Sequence, residues 1–295
     1  MQGLILINKP TGITSFKAVS VIKRIANEKR VGHTGTLDPI AEGVLPILLG
    51  KATSLSGLLL DADKGYTAKA RLGITTDTLD ITGTVLSSTE PSVSFTELTA
   101  VIQSFLGESE QLPPMYSAIK KDGVRLYELA RRGETAEISK RKITISDIQL
   151  ISFENNEFEF KVCCSKGTYI RSLIRDIGEK LGCGAVMTEL IRTSASGFDI
   201  SDCISLDDLS EENIKDYILP EEKAVSHFKE VNVSLKQAVR FSNGGQLAYD
   251  RLKNAVFKDG EFLRIKHSGV FVGLGTADNE KEQISIKCII NQVNG

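Results

Sequence analysis

The stretch Gly32-His33-Thr34-Gly35-Thr36-Leu37-Asp38-Pro39 sets three polar side chains, His33, Thr34 and Asp38, in a glycine-rich loop. Loops held by a rigid scaffold are where binding and catalysis concentrate. Asp38 precedes a proline, which restricts its backbone to the β or polyproline region and so limits where the carboxylate can point. A carboxylate so placed can act as nucleophile, general base or metal ligand. On spacing alone the same dipeptide reads first as a helix start, with Asp38 as N-cap and Pro39 at the first helical position. His33 has no second His or Cys at ligand spacing, so a metal site is not expected. Tyr66 opens an alternating segment on its apolar side, where an aromatic is usually core. Tyr169 and Arg171 begin a helical pattern after Lys166-Gly167. An arginine there can pair with a carboxylate or phosphate, or simply face solvent. There is no P-loop, dinucleotide fingerprint, G-x-S-x-G or H-E-x-x-H, so cofactor-driven chemistry is not expected.

The elements that must hold these residues are legible from periodicity. Residues 3–7 read as a buried strand ended by Pro10 and Gly12. Residues 15–27 read as a helix with Phe16, Val19, Ile22 and Ile25 inward, Thr14 or Ser15 as cap, and Lys17, Lys23 and Arg24 on the other side. Residues 31–43 read as a loop, followed by the apolar run Val44 to Leu49. Residues 66–72 and 158–164 alternate as half-buried antiparallel strands. Cys163 and Cys164 therefore point to opposite faces. Ser94 and Glu97 form a capping box for a helix over 95–106, with Gly107 ending it. A second helix spans 169–181, with Ile170, Leu173, Ile174, Ile177 and Leu181 inward and Arg171 and Arg175 sharing the outer face. Strands and helices mix without strict βαβ alternation, so the fold class is α+β. The acidic stretch 207–222 reads as a surface connection, and the last seventy or so residues turn mostly β. A domain boundary is placed near residue 226.

The chain has 295 residues and a net charge of −2, from 36 Lys+Arg and 38 Asp+Glu. A neutral total argues against a generally basic nucleic-acid binder but leaves local patches open. Residues 117–142 carry eight basic and four acidic residues, and residues 1–60 seven against three. Such a basic side fits a polyanion touching one face, although a solvated charged surface has the same composition. The five cysteines contain no C-x-x-C, and free thiols fit a reducing cytoplasm. The N-terminal apolar run is too short for a signal peptide, and no run approaches the ~20 apolar residues of a membrane span.

Taken together, these segments resemble a known family. Lys9-Pro10 with Gly12-Ile13-Thr14-Ser15, then GHTGTLDPIAEGVLP (32–46), is similar to the opening of bacterial tRNA pseudouridine-55 synthases of the TruB type. Lys64-Gly65-Tyr66 with Arg71-Leu72-Gly73 and Thr75-Asp77-Asp80 resembles the second family motif. QLPPMYSAIKKDGVRLYELARRG (111–133) resembles the third and SKGTYIRSLIRDIG (165–178) the fourth. Leu190-Ile191-Arg192 resembles the stretch that closes the catalytic domain. The resemblance covers residues 3–200 in order. It implies the pseudouridine synthase fold, a mixed, largely antiparallel sheet with flanking helices. Residues 1–226 would form the catalytic domain, with an RNA-gripping insertion at about 112–142. Residues 227–295 resemble a small β-rich PUA-like RNA-binding domain.

By the same resemblance, uridine 55 in the T loop of tRNA would be isomerised. Asp38 would attack the nucleotide, Arg171 would pair with Asp38 and keep it ionised, and Tyr66 would stack on the uracil and help move a proton. His33 would contact the flipped-out nucleotide, Tyr169 and Leu190 would line the uracil pocket, and Lys9 with Pro10 would support the loop. Lys120, Arg131 and Arg132 would contact phosphates of the T stem-loop. Neither metal nor organic cofactor is implied, and a cytoplasmic monomer without membrane contact is expected. The chemistry needs an extruded base, an aromatic face to replace lost stacking and a charged carboxylate. Attack at C1′ of the sugar and at C6 of the ring both satisfy it, and the base that removes the C5 proton is open. An RNA-binding or RNA-folding protein of the same fold is the alternative from another class. The RNA-guided catalytic subunit of archaea and eukaryotes is a further relative, whose longer basic extensions this sequence lacks.

Overall fold

The fold is organised by a ten-stranded mixed sheet, described from a computed structural model over residues 1–60, 62–252 and 256–294. The elements used below are β1 (Gly3–Lys9), α1 (Ser15–Ile25), β2 (Val31–His33), β3 (Ala41–Leu49), β4 (Lys64–Leu72), α2 (Phe95–Gln103), β5 (Gly107–Gln111), α3 (Leu126–Arg131), β6 (Arg141–Glu154), β7 (Glu157–Cys164), α4 (Ile170–Lys180), β8 (Ala185–Ala195) and β9 (Ile204–Ser205). Across the sheet the order is β9-β1-β3-β8-β4-β7-β6-β5, with β2 on β3 and Phe198–Asp199 on β8. Two pairings, β1 with β9 and β3 with β8, are parallel and the others antiparallel. The largely antiparallel α+β reading therefore holds.

Burial explains the layers. In β1, Ile5 and Ile7 pack with Ala18, Val19 and Ile22 of α1, whereas Leu4 and Leu6 pack on the opposite side with Phe271, Leu274 and Ile290. Both faces of β1 are covered, which is why it reads as a continuous apolar run. In β4 and β7, Ala68, Ala70, Phe158 and Phe160 face Leu98 and Ile102 of α2 and Leu173, Ile174 and Ile177 of α4. Each fully buried Phe there contributes about 1.5–3 kcal/mol relative to exposure. The capping box of Ser94 and Glu97 is present as expected, and Gly182, at φ 74°, follows the end of α4. Cys163 is exposed and Cys164 buried, as alternation requires.

The C-terminal unit is a five-stranded sheet, built from β10 (Lys229–Asn232), α5 (Leu235–Ser242), β11 (Leu247–Ala248), β12 (Phe262–His267), β13 (Val270–Asp278) and β14 (Gln283–Ile289), in the order β10-β12-β13-β14-β11. Its Phe271, Leu274 and Ile290 join Ala224, Val225 and Leu55 in one core, so the two sheets are packed together. No helix among the described residues is long and apolar enough to cross a membrane.

The structure corrects five local readings. No helix follows Asp38: after a turn closed by Ala41 N donating to Asp38 O, the chain enters β3, because the apolar run is paired on both sides by β1 and β8. The expected loop 31–43 is shorter, since Val31–His33 pair with β3 as β2. Phe16 is 77% exposed, because α1 is rotated to bury Ser15 and Ala18 with Val19, Ile22 and Ile25. Arg171 is not on the outer face of α4 with Arg175 but buried. The acidic stretch is not merely a surface connection, since its Leu209 and Ile214 pack into the α1 core.

Candidate active site

The loop that carries Asp38 is tied down on both sides of it. Ser15, in the first turn of α1, accepts from Leu37 N at 2.8 Å through its hydroxyl and donates to Leu37 O at 3.1 Å. Gly12 N donates to Pro39 O at 2.8 Å. Thr14 caps α1 by accepting from Lys17 N. Lys9, with no exposed surface, donates from Nζ to Pro10 O at 2.6 Å and Ile13 O at 2.9 Å and so braces the same turn. Burial chiefly, with the Arg192 charge assisting and Asp38 opposing, pushes its ammonium down to about 8.

Asp38 meets Arg171 from the first turn of α4: Nε donates to Oδ2 at 2.9 Å. The other two guanidinium nitrogens donate to backbone carbonyls, Nη1 to Thr78 O at 2.9 Å and Nη2 to Tyr116 O at 2.8 Å. Charge-assisted bonds of this kind are the strong ones, and the planar fork fixes its own orientation. Thr78 is presented by a turn built around buried Asp80, whose Oδ1 accepts from the Thr78 hydroxyl at 2.9 Å and from Thr82 N at 3.0 Å. Tyr169, just before α4, is clamped by Gln111 of β5. Its N–H donates to Gln111 Oε1 at 2.8 Å and its carbonyl accepts from Gln111 Nε2 at 3.1 Å.

Around the carboxylate lies a cavity of about 310 Å³, lined by Gly35 to Asp38, Leu60, Lys64, Tyr66, Ser117, Ala118, 167–171, Leu190 and Arg192. Five of the sequence candidates thus meet at one place: Asp38, Tyr66, Tyr169, Arg171 and Leu190. β8 delivers two of the lining residues, since Leu190 is paired across from Ala68 and Arg192 from Tyr66 on β4. Burial raises the Tyr66 and Tyr169 hydroxyls above the usual phenol value, while the Arg192 charge pulls Tyr66 the other way.

The remaining candidates lie outside the cavity. Lys9 supports the loop from behind. His33 sits on β2, where its Nδ1 accepts from Gly35 N at 3.3 Å. Burial and the Arg192 charge both push its imidazole down, as an accepting, neutral ring requires. Lys120, Arg131 and Arg132 are in the 112–142 segment. There a tight hairpin turns at Asp122-Gly123, both with positive φ as a two-residue hairpin loop demands. The segment is fastened to the cavity wall where Tyr127 N donates to Ser117 O.

Among the lining residues that the sequence reading did not name as site residues are Lys64, Ser117 and Arg192. The Ser117 side chain is buried beside the Tyr169 hydroxyl. Arg192 is almost fully buried, with Nε donating to Val44 O at 2.7 Å and Nη2 to Gly35 O at 3.2 Å. Gly43 makes room for it: its φ is 109°, and a Cβ there would lie 2.2 Å from the Arg192 carbonyl oxygen. The signal was a basic residue two positions after Leu190 in a strand-like run, which puts it on the same face as that pocket candidate.

Comparison with known proteins places the chain in a family. Residues 23–170 match the TruB family pseudouridylate synthase N-terminal domain, and residues 171–226 the tRNA pseudouridylate synthase B C-terminal domain. The tRNA pseudouridine synthase B of Clostridium tetani is 46% identical over 281 residues, 95% of this chain and 97% of that protein. That of Pseudomonas fluorescens is 40% identical over 289 residues, covering 95% and 93%. Among solved structures, a chain of a Cbf5–Nop10–Gar1 complex superposes with a TM-score of 0.75 at 32% identity, over 99% of this chain and 84% of that one. A chain from an H/ACA ribonucleoprotein bound to a substrate RNA containing 2′-deoxyuridine gives 0.73 at 29% identity, over 99% and 84%. With both family domains matched in sequence and the whole chain matched in structure, the protein belongs to the TruB family of pseudouridylate synthases.

Proposed function

We propose that this protein converts uridine 55 in the T loop of tRNA to pseudouridine, with Asp38 as the attacking carboxylate. The observation that carries this reading is the Asp38–Arg171 pair at the wall of a cavity that Tyr66, Tyr169 and Leu190 also line. The cavity lies at the small end of ligand sites, which suits a single extruded base. Extrusion costs a few kcal/mol of stacking and pairing, and an aromatic wall offsets part of it. The reaction breaks the N1–C1′ bond and rejoins base and sugar through C5. Nothing is oxidised and no group leaves the molecule, so a charged carboxylate and proton transfers suffice.

In this reading residues 1–226 form the catalytic domain and residues 227–295 a PUA-like RNA-binding domain. The basic segment at about 112–142, with Lys120, Arg131 and Arg132 exposed, grips the T stem-loop. This reading takes the protein to act as a monomer. The free cysteines suit the cytoplasm.

The test is tritium release from an unmodified tRNA transcript labelled at C5 of uracil. The intact protein should release label from position 55, and a transcript with cytidine there should release none above background. Asp38→Asn should abolish release while RNA affinity stays within a few-fold. Binding without release by the intact protein would leave only an RNA-binding role, and an active Asp38→Asn would remove Asp38 as the attacking group.

A further inference from the structure

Arg192 is a buried cation with no counter-ion. It is 1% exposed, and among the described residues no carboxylate lies within ion-pair distance of it. Its charge is met by two backbone carbonyls, Val44 O and Gly35 O, and by the Tyr66 hydroxyl beside it. Arg171, the other buried arginine of the cavity, has Asp38. Burying a guanidinium unpaired is strongly unfavourable, and its field here also disfavours the charged forms of Lys9 and His33. Asp38 is the one acid among the described residues lining the cavity, and it is paired with Arg171, not with Arg192. A buried guanidinium with no carboxylate beside it among the described residues is an unneeded cost for holding neutral uracil. It suits a site in which an anion forms.

We propose that Arg192 stabilises the negative charge that collects on the uracil as the N1–C1′ bond breaks. The inference rests on the assignment of this cavity to uridine. The bond parts with both electrons on the base, which becomes an anion spread over N1, O2 and O4. The sugar carbon is left electron-poor beside the Asp38 carboxylate. After the base turns, C5 bonds to C1′, the C5 proton leaves and N1 gains one, so the base ends neutral. A guanidinium already fixed by two carbonyls need not reorganise as that charge grows. Its position next to Tyr66 also strengthens the phenol as a hydrogen-bond donor to the same anion.

The competing role is mechanical, a strap holding the Gly35 segment to β3 through the same two carbonyls. Leaving-group dependence separates the two roles. Fluorine at C5 withdraws electrons and stabilises the base anion, so 5-fluorouridine needs less help from the protein. Transcripts carrying uridine or 5-fluorouridine at the target are reacted in single turnover; 5-fluorouridine has no C5 proton to lose, so its base rejoins through C5, keeps the fluorine and takes up water at C6, and loss of the starting nucleoside is followed for both by digestion and chromatography. Arg192→Gln should slow uridine by about 100-fold or more and 5-fluorouridine by about 10-fold or less. Arg192→Lys should recover at least part of the difference. Equal slowing of both substrates, or of neither, would overturn the proposal. Conversion of uridine by the unaltered protein is the control that tests the cavity assignment separately.

Should Arg192→Gln not fold, the unaltered protein carries the test. With RNA abasic at the target position bound, free 5-nitrouracil, ionised at neutral pH, should bind at least about tenfold tighter than neutral uracil. Equal affinities would overturn the proposal.

Discussion

Arg171 holds Asp38 through Nε at 2.9 Å, and the two differ sharply in exposure: the arginine side chain is 5% exposed and the aspartate 35%. The cation is the fixed, buried member and the acid the member open to the cavity. That asymmetry suits a carboxylate that must leave its partner to meet a substrate. The fixation comes from two carbonyls on separate loops, Thr78 and Tyr116, which leave the guanidinium one orientation.

Arg171→Lys therefore should not behave as a conservative change. A lysine keeps the charge but cannot reach Asp38, Thr78 O and Tyr116 O at once, and two buried carbonyls lose their donors. The rate of uridine conversion should fall by about 100-fold or more, and stability by about 1–3 kcal/mol. Single-turnover kinetics and urea unfolding measure the two losses. A rate within a few-fold of the unaltered protein would show that charge alone, and not the fork, serves Asp38.

Gly43→Ala tests the close approach of β3 to β8. A Cβ at Gly43 would stand 2.2 Å from Arg192 O and 2.7 Å from Arg192 N, both backbone atoms in the middle of the sheet that cannot retreat alone. The positive φ adds strain. The loss should be about 3 kcal/mol or more. Gly12→Ala is the control: its φ is also positive, at 81°, but a Cβ there meets nothing within 4 Å. That change should cost only about 1 kcal/mol. Equal costs in urea unfolding would mean that backbone strain, not the strand contact, dominates at Gly43.

How much of this was legible in the sequence divides along physical lines. The alternation in β4 and β7, the capping box of α2 and the apolar stripe of α4 follow from local spacing, and the structure has them all. Spacing also put Arg171 outward beside Arg175, because periodicity treats every arginine as solvent-seeking. The carboxylate and carbonyls that make an inward arginine acceptable come from residues 38, 78 and 116, far away in sequence. Asp38-Pro39 looked like a helix start for the same reason. Whether a strand or a helix follows depends on β1 and β8 pairing with the next segment, and local chemistry does not record that. Backbone acceptors such as Thr78 O carry no residue-type signal. Arg192 did leave a trace, a charge on the same strand face as Leu190, but that trace alone does not name the Tyr66 hydroxyl as its neighbour.

Lys9 makes stability depend on pH in a definite direction. Its pKa lies at about 8 in the folded protein against an ordinary 10.5. Between those values the folded state binds fewer protons than the unfolded chain, so stability rises with pH through that window. Below about 8 both states carry the charge and the folded state bears the whole burial cost. The stability of the unaltered protein relative to Lys9→Met should thus rise by a few kcal/mol from below that window to its upper end. Unfolding of both proteins at matched pH values measures the difference and cancels the other titrating groups. A difference that stays flat would show that Lys9 titrates near its ordinary value.

If the basic segment at about 112–142 grips RNA as proposed, binding should respond to salt. Lys120 and Arg132 are exposed, while Lys121 is already engaged with Glu137 O and Arg131 lies over the Tyr127 ring at 5.6 Å. The first two are therefore the freest to meet phosphate. Each phosphate contact contributes about one unit to the slope of log affinity against log salt. Replacing Lys120 and Arg132 together by Gln should flatten that slope by about two and weaken RNA binding most at low salt. Asp38→Asn lies in the cavity, carries no phosphate contact in this reading and should leave the slope as it was. Filter binding across a salt series separates the two variants. If the double variant keeps the original slope, these charges only solvate the hairpin, and the grip on RNA must come from elsewhere, with the basic first sixty residues the next place to reverse charge.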